Sequence, residues 1–320
     1  MLGLIAAPPV SANTFPGYST SHYMETVDGP TLLSQGCSAG SGATNGTLPA
    51  DQMIVLDFGQ PWYSAGYGAK YWYGTSGIFA STATIANAVE QFGQGFWACS
   101  SVTPRLTVAI GVNSDSSTVG AGHGAAWGSM VASVNAWLSS IGAAGQVQAE
   151  GAIDVESGFY ATAAMARAWA TGYGSGSLFQ NFGAASGCSW TTFGSTVPGL
   201  TCTSSPKWTQ DDYWFVSWGA PAAEPLPEIY NSTAITLPNG TSSDPNAQQW
   251  EMIRRYGNAA RGSPVTPQGS FTQHQACVAS ACLGTNNTPL TGWTHLHNSL
   301  GAYAPTSTTL QWSTDVKWGF

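Results

Sequence analysis

Short apolar runs alternate with longer stretches of helical periodicity through most of this chain. Residues 53–58, 106–112 and 147–155 are apolar at nearly every position, as expected of strands buried on both faces. Between them Ile85, Val89 and Phe92 recur at helical spacing and predict a helix over 78–96. Trp127, Val131, Val134 and Leu138 predict another over 125–141. An Ala-rich helix is expected over 160–169, ending near Gly172. Further strands are expected over 178–182, 213–218, 227–230 and 310–314, with a helix over 247–256. Residues 1–50 are turn-rich and predict an irregular N-terminal segment wrapping the domain, pinned by Cys37. Residues 262–306 predict loops with one helix near 295–300.

Strands alternating with helices imply parallel βαβ units. With about seven or eight strands, the α/β class and a (β/α)8 TIM-type barrel over residues 51–320 fit the length. A doubly wound open sheet is the rival, but no Gly-rich dinucleotide fingerprint follows any predicted strand. No repeat of fixed period is present.

Composition narrows the function. Charged residues make up 8% of the 320, about a third of the usual share. The net charge is −8 with only 8 basic residues, which argues against nucleic-acid binding and against an anionic-membrane module. No apolar run reaches the ~18 residues of a membrane span. The first twelve residues carry an apolar patch without a basic flank and read as the remnant of a trimmed or atypical signal. The 6 cysteines lack any C-x-x-C pair, so a disulfide framework is favoured over zinc. Spacing favours Cys188–Cys202 and Cys277–Cys282 as local clips, leaving Cys37 with Cys99. Asn-x-Ser/Thr sites at Asn45, Asn231, Asn239 and Asn286 suit a secreted or cell-surface chain.

The candidate chemistry is acidic. Asp57 ends the strand predicted over 53–58, and Asp154 and Glu156 end that over 147–155. Residues two apart on a strand point to the same side. In a (β/α)8 barrel every strand C-terminus opens on one face, so these acids would converge there. Glycoside hydrolysis needs two carboxyl groups flanking the scissile bond, one of them protonated. The bland alternative is that the acids bind backbone amides or cap a helix. Trp62, Tyr63, Tyr67 and Trp72 crowd one loop after the Asp57 strand and suit stacking on sugar rings; the alternative is a loop packed on itself. Trp218 and Trp312 are further rim candidates, and Gln180 and Asn181 are candidate hydrogen-bonding groups for substrate. His123 precedes a helix and could reach the mouth, although helix-entry turns commonly carry such a residue. His295 and His297 lack a third ligand nearby, so neither a metal nor another cofactor is expected. Gly36-Cys37-Ser38-Ala39-Gly40 matches the G-x-S-x-G nucleophile elbow, keeping a serine esterase as a minor alternative, but its flanks are poor strand and helix.

An Asp ending the first visible strand and an Asp-x-Glu ending a central one resemble the lysozyme-type muramidases of the glycoside hydrolase class. The run from Ala149 to Glu156, Trp218-Gly219, the run from Leu226 to Tyr230 and Gln248-Gln249-Trp250 resemble uncharacterised barrel domains of actinobacterial secreted proteins. That likeness spans most of residues 52–256. The muramidase resemblance implies Asp57, Asp154 and Glu156 as the site, with Glu156 as the acid and Asp154 or Asp57 stabilising the sugar cation or activating water. The chain departs from that pattern in three ways. Phe58-Gly59 stands where Ser or Thr is usual, the Asp-x-Glu follows the third visible strand and not the fourth, and cysteines appear after residue 183. A strand missed near 71–73 would restore the count.

The expected function is therefore hydrolysis of a polysaccharide or cell-wall glycan such as peptidoglycan. The competing class is a non-catalytic surface, coat or filament protein of the same fold, in which self-association replaces glycan binding. Paired acids in an open cleft would favour the first, and acids buried singly against Arg or backbone amides the second.

Overall fold

A computed structural model describes residues 14–196, 199–203, 208–303 and 309–320. Eight parallel strands follow one another around a nearly closed barrel: β1 (Ser19–Tyr23), β2 (Asp51–Asp57), β6 (Arg105–Asn113), β7 (Val147–Asp154), β8 (Phe179–Asn181), β9 (Ala223–Pro225), β12 (Gly269–Thr272) and β13 (Trp312–Trp318). β13 pairs with β1, and Glu228 bridges Phe271 in parallel across the remaining gap. Each barrel strand appears in chain order, which is the (β/α)8 arrangement expected.

Helices join the strands. α1 (Gly29–Asn45) and α2 (Thr82–Cys99) pack together, α3 (Ala121–Ser140) and α4 (Ala163–Tyr173) follow, then α5 (Gln210–Trp214), α6 (Pro245–Arg261), α7 (His274–Ser280) and α8 (Pro289–Ala302). Their starts are written in the sequence. Asp28, Ser81, Thr162, Thr209, Asp244 and Thr288 each accept a backbone N–H from the first turn of the helix they precede. Two additions lie outside the barrel sheet: a three-stranded antiparallel sheet of β3 (Gln60–Tyr63), β4 (Tyr67–Tyr73) and β5 (Ser76–Ser81), and a two-stranded ribbon of β10 (Ile235–Thr236) and β11 (Ser242–Ser243).

The larger apolar core lies between barrel and helices, where Trp127, Trp169, Phe92 and Phe96 are fully buried. A second cluster fills the barrel itself, with Met53, Val55, Ala109, Ala152, Phe182, Leu226, Phe271 and Val316. Beneath it Gln180 Nε2 donates to Glu150 Oε2 at 2.8 Å and to Glu224 Oε2 at 3.3 Å. The barrel is a packed core and its chemistry is confined to the ends.

Several expectations change. The segment expected to be irregular over 1–50 carries the first strand and helix of the barrel, while residues 1–13, with the signal-like patch, lie outside the described residues. Residues 78–81 are a hairpin strand, and the helix begins only after the Ser81 cap. Residues 213–218 are helical: Thr209 and Asp212 form a capping box, and a π-helical turn, Phe215–Gly219, follows. Residues 262–306 hold β12 and α7 besides the expected helix. The strand at 71–73 exists but belongs to the antiparallel hairpin. The missed barrel strand is β1, which makes the Asp-x-Glu strand fourth in the barrel and the Asp57 strand second.

The three disulfides pair as spacing favoured: Cys37–Cys99, Cys188–Cys202 and Cys277–Cys282. The first ties α1 to the end of α2. The Gly-x-Ser-x-Gly stretch lies inside α1, with Ser38 Oγ donating to Ser34 O at 3.0 Å. Its glycines serve packing, since a Cβ at Gly36 or Gly40 would strike the carbonyls of Phe92 or Phe96 on α2. It is not a strand-to-helix elbow, and the esterase alternative loses its nucleophile.

Candidate active site at the barrel mouth

Asp57 and Asp154 end adjacent regions of the barrel wall, two strands apart, with β6 between them. Both line a cavity of about 390 Å³ at the C-terminal mouth, together with Tyr23, Tyr71, Trp72, Asn113, Phe159 and Trp318. The Tyr23 and Trp318 rings lie 4.5 Å apart on one side. No basic residue lines the cavity. Lys70 lies against the hairpin tryptophans, with Nζ 4.6 Å from the Trp62 ring and 5.9 Å from Trp72.

Local backbone fixes each acid. Gly59, at φ 78°, turns its N–H back to Asp57 Oδ1 at 2.9 Å, a conformation that favours glycine. Gly183 lets β8 pass close to Asp154, because a Cβ there would sit 2.6 Å from Asp154 Oδ1. That oxygen is buried without a hydrogen-bond partner. Glu156 is partly buried and its backbone N–H donates to Ser114 Oγ at 3.2 Å.

Sequence reasoning missed Glu228, which follows β9 and is 4% exposed. Carboxyl oxygens of Asp154, Glu156 and Glu228 lie within 4.8 Å of one another. Glu156 and Glu228 are hydrogen-bonded to each other. Two carboxyls can do that only when one holds a proton, and the same oxygens, with Asp154, lie close enough together to hold a cation instead. Tyr230 hydrogen-bonds Glu228, and its hydroxyl lies 3.4 Å from that of Tyr23 on the cavity wall.

No arginine or lysine pairs with these acids among the described residues, and burial raises each of them. Burial lifts Asp57 to about 7, offset in part by the Gly59 N–H. Burial, then the charges of Glu156 and Asp57, push Asp154 well above the ordinary carboxylate range. Glu156 is raised by burial but held back by hydrogen bonds from Glu228 and the Ala184 N–H. Glu228 is driven far up by burial, then by Asp154 and Glu156. The site therefore groups several carboxyls that burial lifts above their ordinary range, an arrangement that can keep one of them protonated as an acid beside another.

The remaining candidates divide. Trp72 lines the cavity, whereas Trp62 and Tyr63 are exposed on the hairpin and Tyr67 packs edge-on against His123 and Tyr63. Gln180 lies in the polar layer beneath the barrel core, and Asn181 points outward to Ser217 Oγ at 2.7 Å. Trp218 donates to Ser263 Oγ at 2.8 Å away from the cavity. Trp312 begins β13 and so sits at the opposite end of the barrel; Trp318, which ends that strand, is the rim residue. His123 is buried in the core, stacked on Trp127, with Nδ1 accepting from Trp169 Nε1 at 2.9 Å. His295 pairs with Asp244 at 2.8 Å while His297 stacks on Trp293, so the two share no site.

The chain matches no family model, no curated protein and no solved structure. The class defined by its fold and mouth is a disulfide-bonded (β/α)8 barrel with an acidic, aromatic-lined cavity at the strand C-termini. Among the described residues no helix is long and apolar enough to cross a membrane.

Proposed function

We propose that the protein is a secreted hydrolase of glycosidic bonds in a polysaccharide or cell-wall glycan, working by carboxylate acid/base chemistry. One observation carries this reading: Asp57 and Asp154 share an aromatic-lined cavity at the strand C-termini, where burial raises both above the ordinary carboxylate range. Asp154 is the better-protonated acid and donates to the leaving glycosidic oxygen. Asp57 ionises more readily, stabilises the oxocarbenium-like centre and takes the proton of the attacking water. Glu156, the acid that the muramidase resemblance implies, is partly buried beside Asp154 and is not among the residues lining this cavity, and the donor role proposed here goes to Asp154.

Tyr71, Trp72 and Trp318 supply flat apolar faces on which sugar rings stack. Three disulfides suit an oxidising, extracellular setting. Asp57 does meet a backbone amide, that of Gly59, but no arginine pairs with these acids among the described residues, and their grouping at one cavity supports the hydrolase over the coat or filament reading. Arg167 and Arg261 serve Asp211 and Arg254 serves Glu251, all remote from the cavity lining.

The test is release of reducing ends from a panel of polysaccharides, peptidoglycan included, by wild type and by Asp154→Asn. Turnover of at least one polymer by wild type, lost in a folded Asp154→Asn, is expected. No turnover of any polymer, with ordered filaments at neutral pH, would favour the coat reading.

A further inference from the structure

Away from the mouth, a second constellation joins the β10–β11 ribbon to α8 and the start of α6. His295 Nδ1 lies 2.8 Å from Asp244 Oδ2, and His295 Nε2 lies 3.4 Å from Ser242 Oγ. Asp244 and His295 are buried, whereas Ser242 is exposed. None of the three lines the mouth cavity. Asp244 is held from two sides. Its Oδ1 accepts the Ala247 N–H at 2.9 Å as the cap of α6, and its Oδ2 also accepts from Asn287 Nδ2 at 3.1 Å. The ribbon is fixed to α8 as well: Ser243 Oγ donates to His295 O at 3.1 Å, and Asn298 Nδ2 donates to Ser242 O at 2.7 Å.

A histidine–aspartate clamp between α8 and α6 needs only the Nδ1 side of the ring. Here the other ring nitrogen meets a hydroxyl that solvent reaches. Asp244 accepts at Nδ1, so the ring proton sits there and Nε2 is free to accept from Ser242 Oγ. A base beside the hydroxyl, and an acid that orients the base, are the groups that activate a serine. The 3.4 Å separation is loose, as such pairs often are before substrate binds. We propose that Ser242 and His295, positioned by Asp244, form a second catalytic site that hydrolyses carboxylic esters. Ser242 Oγ bonds to the ester carbonyl carbon while His295 Nε2 takes its proton. The ester C–O bond then breaks, the alcohol leaves with that proton, and the acyl group stays on Ser242. Water attacks the acyl carbon and gives its proton to His295, which returns it to Ser242 Oγ as the carboxylic acid departs. Asp244 keeps the ring's orientation and stabilises the imidazolium formed in each half. Because Ser242 is exposed, an ester borne on a bulky molecule can reach it. Ser38, the serine of the Gly-x-Ser-x-Gly stretch, has no such base: its Oγ donates to Ser34 O inside α1.

The test exposes the full chain to a fluorophosphonate, which forms an O–P bond to an activated serine and releases fluoride. Mass spectrometry should find the phosphonyl group on Ser242, with the labelling rate unchanged in Ser38→Ala. Ser242→Ala, at an exposed position, should fold and carry no label in that peptide. His295→Gln should lower the labelling rate at least about a hundredfold. If His295→Gln does not fold by circular dichroism, Asp244→Asn keeps the helix cap but offers an amide to Nδ1, which forces the other tautomer. That variant should lose labelling likewise, and should lower kcat with p-nitrophenyl acetate at least about a hundredfold while KM stays within about twofold. The proposal is overturned if Ser242 stays unlabelled in wild type, or if it labels equally fast in folded His295→Gln or Asp244→Asn. The His295–Asp244 pair would then be a clamp between helices and nothing more. Neither readout uses a polysaccharide, so failure here leaves the glycan reading where it stands.

Discussion

Replacing Asp57 by Asn should stabilise the fold at alkaline pH while abolishing the proposed chemistry. Asp57 is 4% exposed and its only strong compensation is the Gly59 N–H. Burial raises it from 3.8 to about 7. In the unfolded chain the carboxyl ionises at its ordinary value, so the folded state binds the extra proton between those two values. The stabilisation from the protonated form is complete below about pH 4 and is lost as pH rises through about 7. At about 1.36 kcal/mol per pH unit, the span corresponds to roughly 4 kcal/mol of stability lost by about pH 8. Asn is uncharged at every pH and its Oδ1 can still accept from Gly59. The expected result is Asp57→Asn within about 1 kcal/mol of wild type near pH 4 and more stable by up to about 4 kcal/mol near pH 8. Urea unfolding followed by tryptophan fluorescence at both pH values measures it. Equal stability of the two proteins at the higher pH, or a gap wider at the lower pH, would refute the account of a buried, proton-holding Asp57.

Four further outcomes follow from packing and chemistry. Gly36→Ala drives a methyl group into the Phe92 carbonyl and should cost about 1–3 kcal/mol, read as a lower urea midpoint. Converting both Cys37 and Cys99 to Ala opens a link of sequence separation 62 and should cost about 4 kcal/mol by denaturant unfolding. Trp72→Ala or Trp318→Ala should raise KM for a cleaved glycan up to about tenfold with little change in melting temperature, as expected of lost ring stacking. Calcium against EDTA reads how the Asp154, Glu156 and Glu228 carboxyls are satisfied: an unmoved melting temperature is expected of carboxyls that share a proton, and a calcium-dependent rise would show that they hold a cation instead.

The fold was legible where burial on both faces leaves unbroken apolar runs, as in β2, β6 and β7. It was illegible at β1, whose Ser19 and Ser21 face into the barrel wall. Ser19 Oγ donates to Met53 O, and Ser21 Oγ accepts from Val55 N at 2.8 Å and pairs with Thr314 at 2.7 Å. A strand built on hydroxyl hydrogen bonds has no apolar period to find. Residues 213–218 misled in the other direction, since an aromatic run looks like a strand unless the Thr209–Asp212 capping box upstream is weighed. The convergence of Asp57 with Asp154 was readable because both end conspicuous strands. Glu228 was not, because β9 is only 3 residues long and the acid follows it. The rim tryptophan was misplaced by the length of one strand. Trp312 and Trp318 bound the same 7-residue β13, and direction alone decides which end meets the site.

The central claim is that a sugar bond is broken between Asp154 and Asp57. The most direct measurement is the crystal structure of Asp154→Asn with an oligosaccharide of the cleaved polymer bound. The account predicts sugar rings on Trp72 and Trp318, the glycosidic oxygen within hydrogen-bond reach of residue 154, and Asp57 facing the anomeric carbon. An oligosaccharide seated outside the mouth, with both positions untouched, would contradict it.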